Sequence, residues 1–197
     1  MIPTRRIAAL ILAAGGSRRM GRSKQTLLWR GVPLIRGVAL EALASSASPV
    51  TVVVGCDAVS TRQALDGLDI GILEHPGWEG GMGTSIGAGV SFLAAGAEPP
   101  DAVVILLGDQ PHVTASSIGR LIEAHRATGL PLIGCRYGEG LGAPALFAAS
   151  FFPELAALRG DHGAREVFVE NAAVSAGVDL PEALTDVDTP ADYEGLR

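Results

Sequence analysis

Short apolar runs rich in Ile, Val and Leu recur along the chain at Ile7–Leu12, Val50–Val54, Ile70–Leu73, Ala102–Leu107 and Leu132–Cys135. Each is four to six residues long and lacks polar alternation, the pattern of a strand buried on both faces. Longer stretches with helical spacing separate them. In Ala115–Thr128 the residues Ile118, Leu121, Ile122 and His125 stand at i, i+3, i+4 and i+7 and would share one face. Leu34–Ala44, Val59–Leu65 and Thr84–Ala95 are the other helix candidates. Thr189-Pro190-Ala191-Asp192 joins an N-cap Thr, an N1 Pro and an acidic N3 residue, so a short last helix should begin there. Strands and helices in alternation predict a Rossmann-like, three-layer α/β fold with a mostly parallel sheet and helices on both faces. After Cys135 the pattern loosens into Gly138, Gly140, Gly142 and Pro144 before a short apolar piece, Ala145–Phe147, and this region reads as an insertion.

The length of 197 residues suits a single domain spanning 1–197, since one core serves chains of up to roughly 250 residues. The formal net charge of −6 argues against a nucleic-acid partner, because phosphate backbones recruit basic faces. A bound phosphate would therefore be met by local groups. Arg5 and Arg6 before the run Ile7–Ala14 resemble the start of a signal peptide, but the run is short and leads into a glycine loop. No apolar stretch approaches the ~20 residues of a membrane helix, and a cytoplasmic location is expected. Cys56 and Cys135 read as two small buried hydrophobes rather than a disulfide.

In an open parallel sheet, ligands bind beyond the carboxyl ends of the strands, so the residues following each strand matter most. The segment after the first strand holds Gly15, Gly16, Gly21, Arg18, Arg19, Arg22 and Lys24. Glycines let backbone N–H groups approach a phosphate, and the cations neutralise it; the plain alternative is a solvated basic turn. It is no Walker A loop, since Arg22 stands where the Lys should be, and it lacks the G-x-G-x-x-G spacing of dinucleotide binders. Gly108-Asp109-Gln110-Pro111 follows the fourth strand, where a carboxylate is placed to hold Mg²⁺ against a triphosphate or simply to start a turn. Gly83-Thr84-Ser85-Ile86-Gly87 matches the nucleophile-elbow pattern, with His112, His125 and His162 as conceivable partners. The glycines before it replace the strand that an elbow needs, so a loop and helix start is expected instead.

These residues resemble the MobA/MocA-like NTP transferase family, most closely its molybdenum cofactor cytidylyltransferase branch. The first-loop pattern L-A-[AG]-G-x-S-x-R-[MF]-G-x-x-K is met by Leu12, Ala13, Ala14, Gly15, Ser17, Arg19, Met20, Gly21 and Lys24. The likeness continues through Leu27, Leu28, Gly31, Pro33 and Leu34, through Gly80 to Ser85, through Gly108 to Pro111, at Gly160-Asp161-His162-Gly163-Ala164-Arg165, and at Asp186 to Asp192. The resemblance implies transfer of CMP from CTP to the terminal phosphate of molybdopterin, with release of pyrophosphate. It implies Lys24, Asp109 and Arg19 as catalytic residues, and Mg²⁺ held by Asp109 and Asp188. Substrate contacts are expected from Leu12, Ala13, Ala14, Gly15, Gly16, Ser17, Arg18, Gly83, Ser85, Gly108, Gln110, Pro111, Asp161 and Arg165. Ala14 resembles the cytidylyl branch, the guanylyl branch carrying glycine there. Where relatives often show Gly-His-Pro, this chain has Gly142-Ala143-Pro144. The alternatives are GTP as donor, another phosphorylated acceptor, or a noncatalytic module that binds a nucleotide and delivers a cofactor to a molybdoenzyme or insertion chaperone.

Overall fold

A computed structural model describes residues 6–138, 140–161 and 163–196. Seven strands form one sheet: β1 (Ile7–Ala13), β4 (Val50–Val54), β5 (Gly71–Glu74), β6 (Ala102–Leu107), β7 (Leu132–Tyr137), β8 (Gly140–Ala148) and β9 (Ser175–Val178). Their spatial order is β5-β4-β1-β6-β8-β7-β9. A small antiparallel pair, β2 (Leu28–Trp29) with β3 (Val32–Pro33), stands apart. The helices are α1 (Leu34–Ala44), α2 (Ala58–Ala64), α3 (Met82–Ala94), α4 (Ala115–Thr128), α5 (Phe152–Ala157), α6 (Ala164–Glu170) and α7 (Pro190–Gly195).

The buried strands explain the layering. Ile7, Ala9, Ile11 and Ala13 of β1 join a core cluster with Ile35, Val38 and Ala42 of α1 and Ile118, Leu121 and Ile122 of α4. Ala8, Leu10 and Leu12 point the other way and pack with Ile86, Val90 and Leu93 of α3, Leu155 of α5 and Phe168 of α6. The period of two thus divides one strand between two cores, and both sheet faces are covered. Helix ends follow local chemistry. α4 begins in a capping box between Thr114 and Ser117 and ends at Gly129 in the left-handed region. α7 has the expected box between Thr189 and Asp192, with Pro190 at the first helical position.

Two expectations need correction. The segment after Cys135 is no insertion: β8 lies inside the sheet between β6 and β7 and runs antiparallel to both. Glycines and a proline disguise it, as proline is rarely tolerated within a sheet. Here the register with β7 shifts between Gly134 and Cys135, so Ala143 and Pro144 fall in a bulge and the missing N–H costs no ladder bond. Cys56 is exposed at the end of β4, whereas Cys135 is buried as expected, and both thiols are free. No helix among the described residues is long and apolar enough to cross a membrane.

Candidate active site

The carboxyl ends of β1 and β6 open onto a cleft of about 430 Å³, within the usual range for ligand pockets. The chain leaving β1 is tied down at once. Ala14 O accepts the Cys56 N–H at 3.1 Å, and Leu12 O accepts the Gly108 N–H at 3.0 Å. Ser17 then folds the loop on itself, its carbonyl accepting from Met20 and Gly21 and its hydroxyl from the Lys24 N–H at 3.1 Å. Ser17 itself (φ 49°) and Gly21 (φ 71°) occupy the left-handed region, a conformation that favours glycine at the second position. Ser17 therefore shapes the loop and delivers Lys24 to the cleft floor.

Lys24 Nζ meets Asp109 Oδ2 and lies 2.9 Å from Asp188 Oδ1. Asp188 Oδ2 in turn accepts from Arg19 at 2.8 Å. Two parts of the chain far apart in sequence meet because the Val187 N–H donates to Asp109 O at 3.0 Å, while Asp192 holds the Asp188 N–H at 3.1 Å. Burial opposes the Lys24 ammonium, but the two aspartates outweigh it and its pKa is raised. Asp109 Oδ1 is buried and has no hydrogen-bond partner, as does Gln25 Oε1 beside it under Gly108. An anionic oxygen left without a donor in a partly buried site suits a cation.

Opposite the loop stands the first turn of α3, which contributes Gly81, Met82 and Ser85 to the cleft. This helix starts two residues earlier than its pattern suggested, because Gly81 turns the chain (φ 92°) and Gly83 N–H is fixed to Gly160 O at 3.0 Å. Gly81 packs on the Gly160 backbone so closely that a Cβ would lie 2.3 Å from it. That contact brings Asp161 to the cleft wall. The aligned N–H groups of α3 add positive potential at this end. The G-x-S-x-G match lies inside α3 with no strand leading in. His112 packs edge-on against Trp29 and His125 bonds to Leu130 O, while His162 lies outside the described residues. No triad forms around Ser85 among the described residues.

The expected site residues divide by place. Leu12, Ala14, Gly15, Gly16, Ser17, Arg18, Arg19, Lys24, Ser85, Asp109, Asp161 and Asp188 all border the cleft. Ala13 does not, since it faces the α1 side of the sheet. Gly83, Gly108 and Pro111 also stand behind the surface, where Gly108 leaves room for Gln25, Ile35 and the Leu12 carbonyl. Gln110 and Arg165 border a second pocket of about 220 Å³, which shares Leu12, Met82 and Leu107 with the first.

Of the cleft residues that sequence reasoning did not name as site residues, Gln25 and Trp78 stand out. Gln25 follows Lys24 and is only 3% exposed. Trp78 packs over Gly16 and Gly55, where a Cβ would come within 3.2 Å and 2.7 Å of the indole. The paired requirement for glycine is a three-dimensional signal and had no one-dimensional trace. In the second pocket, Gln110 Nε2 donates to Tyr137 Oη at 3.0 Å and Ala183 O at 2.9 Å, while Gln110 Oε1 has no partner. The Ala183 carbonyl can only accept, which fixes the amide's orientation. The orphaned oxygen costs about 1–3 kcal/mol in the empty state unless solvent reaches it. Burial pushes the Tyr137 hydroxyl up, so it stays protonated and donates to Ala143 O or Ala183 O.

A mostly parallel α/β sheet with a cationic loop meeting an acidic pair in a cleft at the strand ends fits a nucleotidyltransferase. The family model described as the MobA-like NTP transferase domain matches residues 9–174, and the chain belongs to that family. It is 31% identical to the molybdenum cofactor guanylyltransferase of Rhodobacter capsulatus over 95% of this chain and 93% of that one. It is 29% identical to the nicotine blue oxidoreductase of Paenarthrobacter nicotinovorans, covering 93% and 92%. Among solved structures, Rv0371c of Mycobacterium tuberculosis aligns over 100% of this chain and 98% of that one, with TM-score 0.80 and 31% identity. The same protein in complex with manganese aligns with TM-score 0.74 and 30% identity, covering 98% and 97%.

Proposed function

We propose that the chain transfers CMP from CTP to the terminal phosphate of a molybdopterin-type acceptor and releases pyrophosphate. The observation that carries the reading is the buried, unpartnered Asp109 Oδ1 beside Asp188, at the strand ends and facing the basic loop. Two carboxylates are a hard-oxygen donor set suited to Mg²⁺ or Mn²⁺. No cluster of three or more His, Cys, Asp or Glu stands ready for a metal among the described residues. Asp109 and Asp188 would therefore hold the ion together with substrate phosphates, as Mg²⁺ sites commonly do. The manganese complex of Rv0371c supports a divalent ion in this fold. When bound, the metal supplies charge neutralisation at the α-phosphate.

The chain's own groups do the rest. An acceptor phosphate oxygen attacks the α-phosphorus, the bond to the α–β bridging oxygen breaks, and pyrophosphate leaves with that electron pair. The attacking phosphate is ionised at neutral pH, so alignment and charge neutralisation suffice without a general base. Lys24, Arg19 and Arg18, the loop N–H groups at Gly15 and Gly16, and Ser85 at the start of α3 take the β- and γ-phosphates. Asp161 and Arg165 face the acceptor side. Ala14, 4% exposed at the cleft wall, narrows the base position and favours a one-ring pyrimidine, an effect of about 1–3 kcal/mol.

GTP is the second reading, favoured by the guanylyltransferase relative. Incubation with each NTP at equal concentration, Mg²⁺ and molybdenum cofactor, followed by mass analysis, tests both. A CMP adduct supports the first reading, a GMP adduct replaces it with the second, and no adduct removes this acceptor. A reduced nicotinamide control, prompted by the oxidoreductase relative, should show no hydride transfer, as the dinucleotide fingerprint is absent.

A further inference from the structure

The cleft wall that Trp78 forms is carried by a short 3-10 turn, Trp78–Gly80, between β5 and α3. Its indole bridges two strand ends. Near its root it lies on Gly55 after β4, where a Cβ would stand 2.7 Å from the indole Cγ, and its six-membered ring lies on Gly16 after β1, where a Cβ would stand 3.2 Å from it. At Gly15 an added Cβ would meet nothing within 4 Å. The loop is thus backed at Gly16, while Gly15 borders open space in the cleft. We propose that His75 and Thr84 are positioning residues for the nucleotide: together they fix the turn that carries Trp78, and the indole keeps Gly15 and Gly16 in the shape that receives the outer phosphates. This rests on the transferase reading of the cleft.

The brace starts at the sheet. The His75 N–H donates to Val54 O at 2.9 Å, which anchors the residue just beyond β5 to the end of β4. His75 Nε2 lies 3.0 Å from Thr84 Oγ1, nine residues on in the first turn of α3. The single hydroxyl hydrogen of Thr84 is directed to Gly81 O at 2.8 Å and Gly77 O at 3.2 Å, so its oxygen accepts from the imidazole and His75 Nε2 carries a hydrogen. The pair is therefore a brace, and not a general base with its nucleophile, which would need that nitrogen free. The turn between the two side chains closes on itself, the Gly80 N–H donating to Gly77 O at 3.0 Å and the Gly81 N–H to Trp78 O at 3.1 Å. It wraps both side chains closely: a Cβ at Gly77 would lie 3.0 Å from His75 Cε1, and one at Gly80 3.0 Å from Thr84 Cγ2. Neither His75 nor Thr84 borders the cleft, so both act on it through Trp78. Binding groups need such a supporting shell, because a displacement of about 1 Å costs an order of magnitude or more in function.

The test is calorimetric titration of the intact protein with CTP, CMP and tripolyphosphate, in wild type, Thr84→Val, Thr84→Ser, His75→Phe and His75→Gln. Valine keeps the shape of threonine without its hydroxyl, and phenylalanine keeps a ring without a donor, whereas serine and glutamine restore the bonding groups. Thr84→Val and His75→Phe should each weaken CTP and tripolyphosphate about tenfold and CMP by less than about threefold, since the loop meets the outer phosphates. Thr84→Ser and His75→Gln should stay within about threefold of wild type. Trp78 emission, taken as the difference between each protein and its Trp78→Phe counterpart, should move to longer wavelength in the two weakened variants as the ring leaves Gly16. Wild-type affinity in Thr84→Val and His75→Phe, equal losses for CTP and CMP, unchanged Trp78 emission, or no rescue by Thr84→Ser would each overturn the proposal. Should Thr84→Val fail to fold, His75→Phe against His75→Gln decides by the same criteria. The expected pattern of affinities in a protein that releases no pyrophosphate from any NTP would instead remove the transferase reading and leave the brace standing.

Discussion

Replacing Lys24 by methionine tests the acidic pair without relying on turnover. In the protein, the Lys24 ammonium is the cation shared by Asp109 and Asp188, and the three side chains are 14%, 16% and 30% exposed. Removing one member of a fully buried ion pair costs about 3–5 kcal/mol. These carboxylates keep some solvent and Arg19 remains on Asp188, so a loss of about 2 kcal/mol is expected. For a chain of this size that lowers Tm by about 4–8 °C. A divalent cation should then restore what the ammonium supplied: at a hundred times its Kd, Mg²⁺ adds about 2.7 kcal/mol, or about 5–11 °C. In the wild type the ammonium must first yield the oxygens, so the metal-dependent rise should be clearly smaller. Thermal melts of wild type, Lys24→Met and Lys24→Met/Asp109→Asn, with and without Mg²⁺, read the difference. The same Mg²⁺ shift in all three proteins would refute the site. The pH dependence has a definite sign: the folded pKa of Lys24 is raised above the ordinary 10.5, so its contribution is complete below that value. It is lost only as pH climbs through the raised value, and Lys24→Met should lack that alkaline component.

Asp109→Asn should lower pyrophosphate release by about 100-fold or more at saturating Mg²⁺ while the circular dichroism spectrum is unchanged; near-normal release would remove Asp109 from the metal site. Arg19→Ala should weaken CTP binding by roughly 1.5–3 kcal/mol and CMP binding by less, so equal losses in calorimetry would show that Arg19 does not reach the outer phosphates. Gly55→Ala places a Cβ 2.7 Å from both the Ala14 carbonyl oxygen and the Trp78 ring, and should destabilise by about 1–3 kcal/mol; an unchanged urea midpoint would show that the Trp78 wall moves freely.

Legibility in the sequence followed locality. Val50–Val54, Ala102–Leu107, Leu34–Ala44 and Ala115–Thr128 have the predicted bounds, because each is a buried run or an amphipathic face closed by its own end signals. β8 was obscured since its Gly140, Gly142 and Pro144 violate strand propensity, and only the register shift opposite Gly134 and Cys135 makes them acceptable. α5, α6 and β9 are short and take their order from packing on α3, β8 and β7, respectively, rather than from periodicity. The loop from Gly15 to Lys24 was readable as a glycine-rich basic segment from composition alone, and it borders the cleft. Its pairing with Asp188, 164 residues further along, was available only through the family likeness. Trp78 and Gln25 had neither route, because their significance lies in what faces them.

The two halves of the site therefore differ in how they can vary. The nucleotide side is built at the ends of parallel strands β1, β4 and β6, held by backbone bonds such as Gly108 to Leu12 and Cys56 to Ala14. A change there disturbs several ties at once, so the phosphate-facing chemistry is carried by the scaffold. The proposed acceptor side is built from side chains of β8 and α6 and from the Asp186 segment, where Leu141, Ala143 and Arg165 can be exchanged without touching the β1 loop. A single fold can thus keep one donor chemistry while its neighbouring pocket is refitted. In this chain the second pocket is lined mainly by aliphatic residues, and Gln110 Oε1 in it has no hydrogen-bond partner. Acceptor choice should accordingly respond to substitutions at Gln110 and Ala143, and donor choice to those at Ala14.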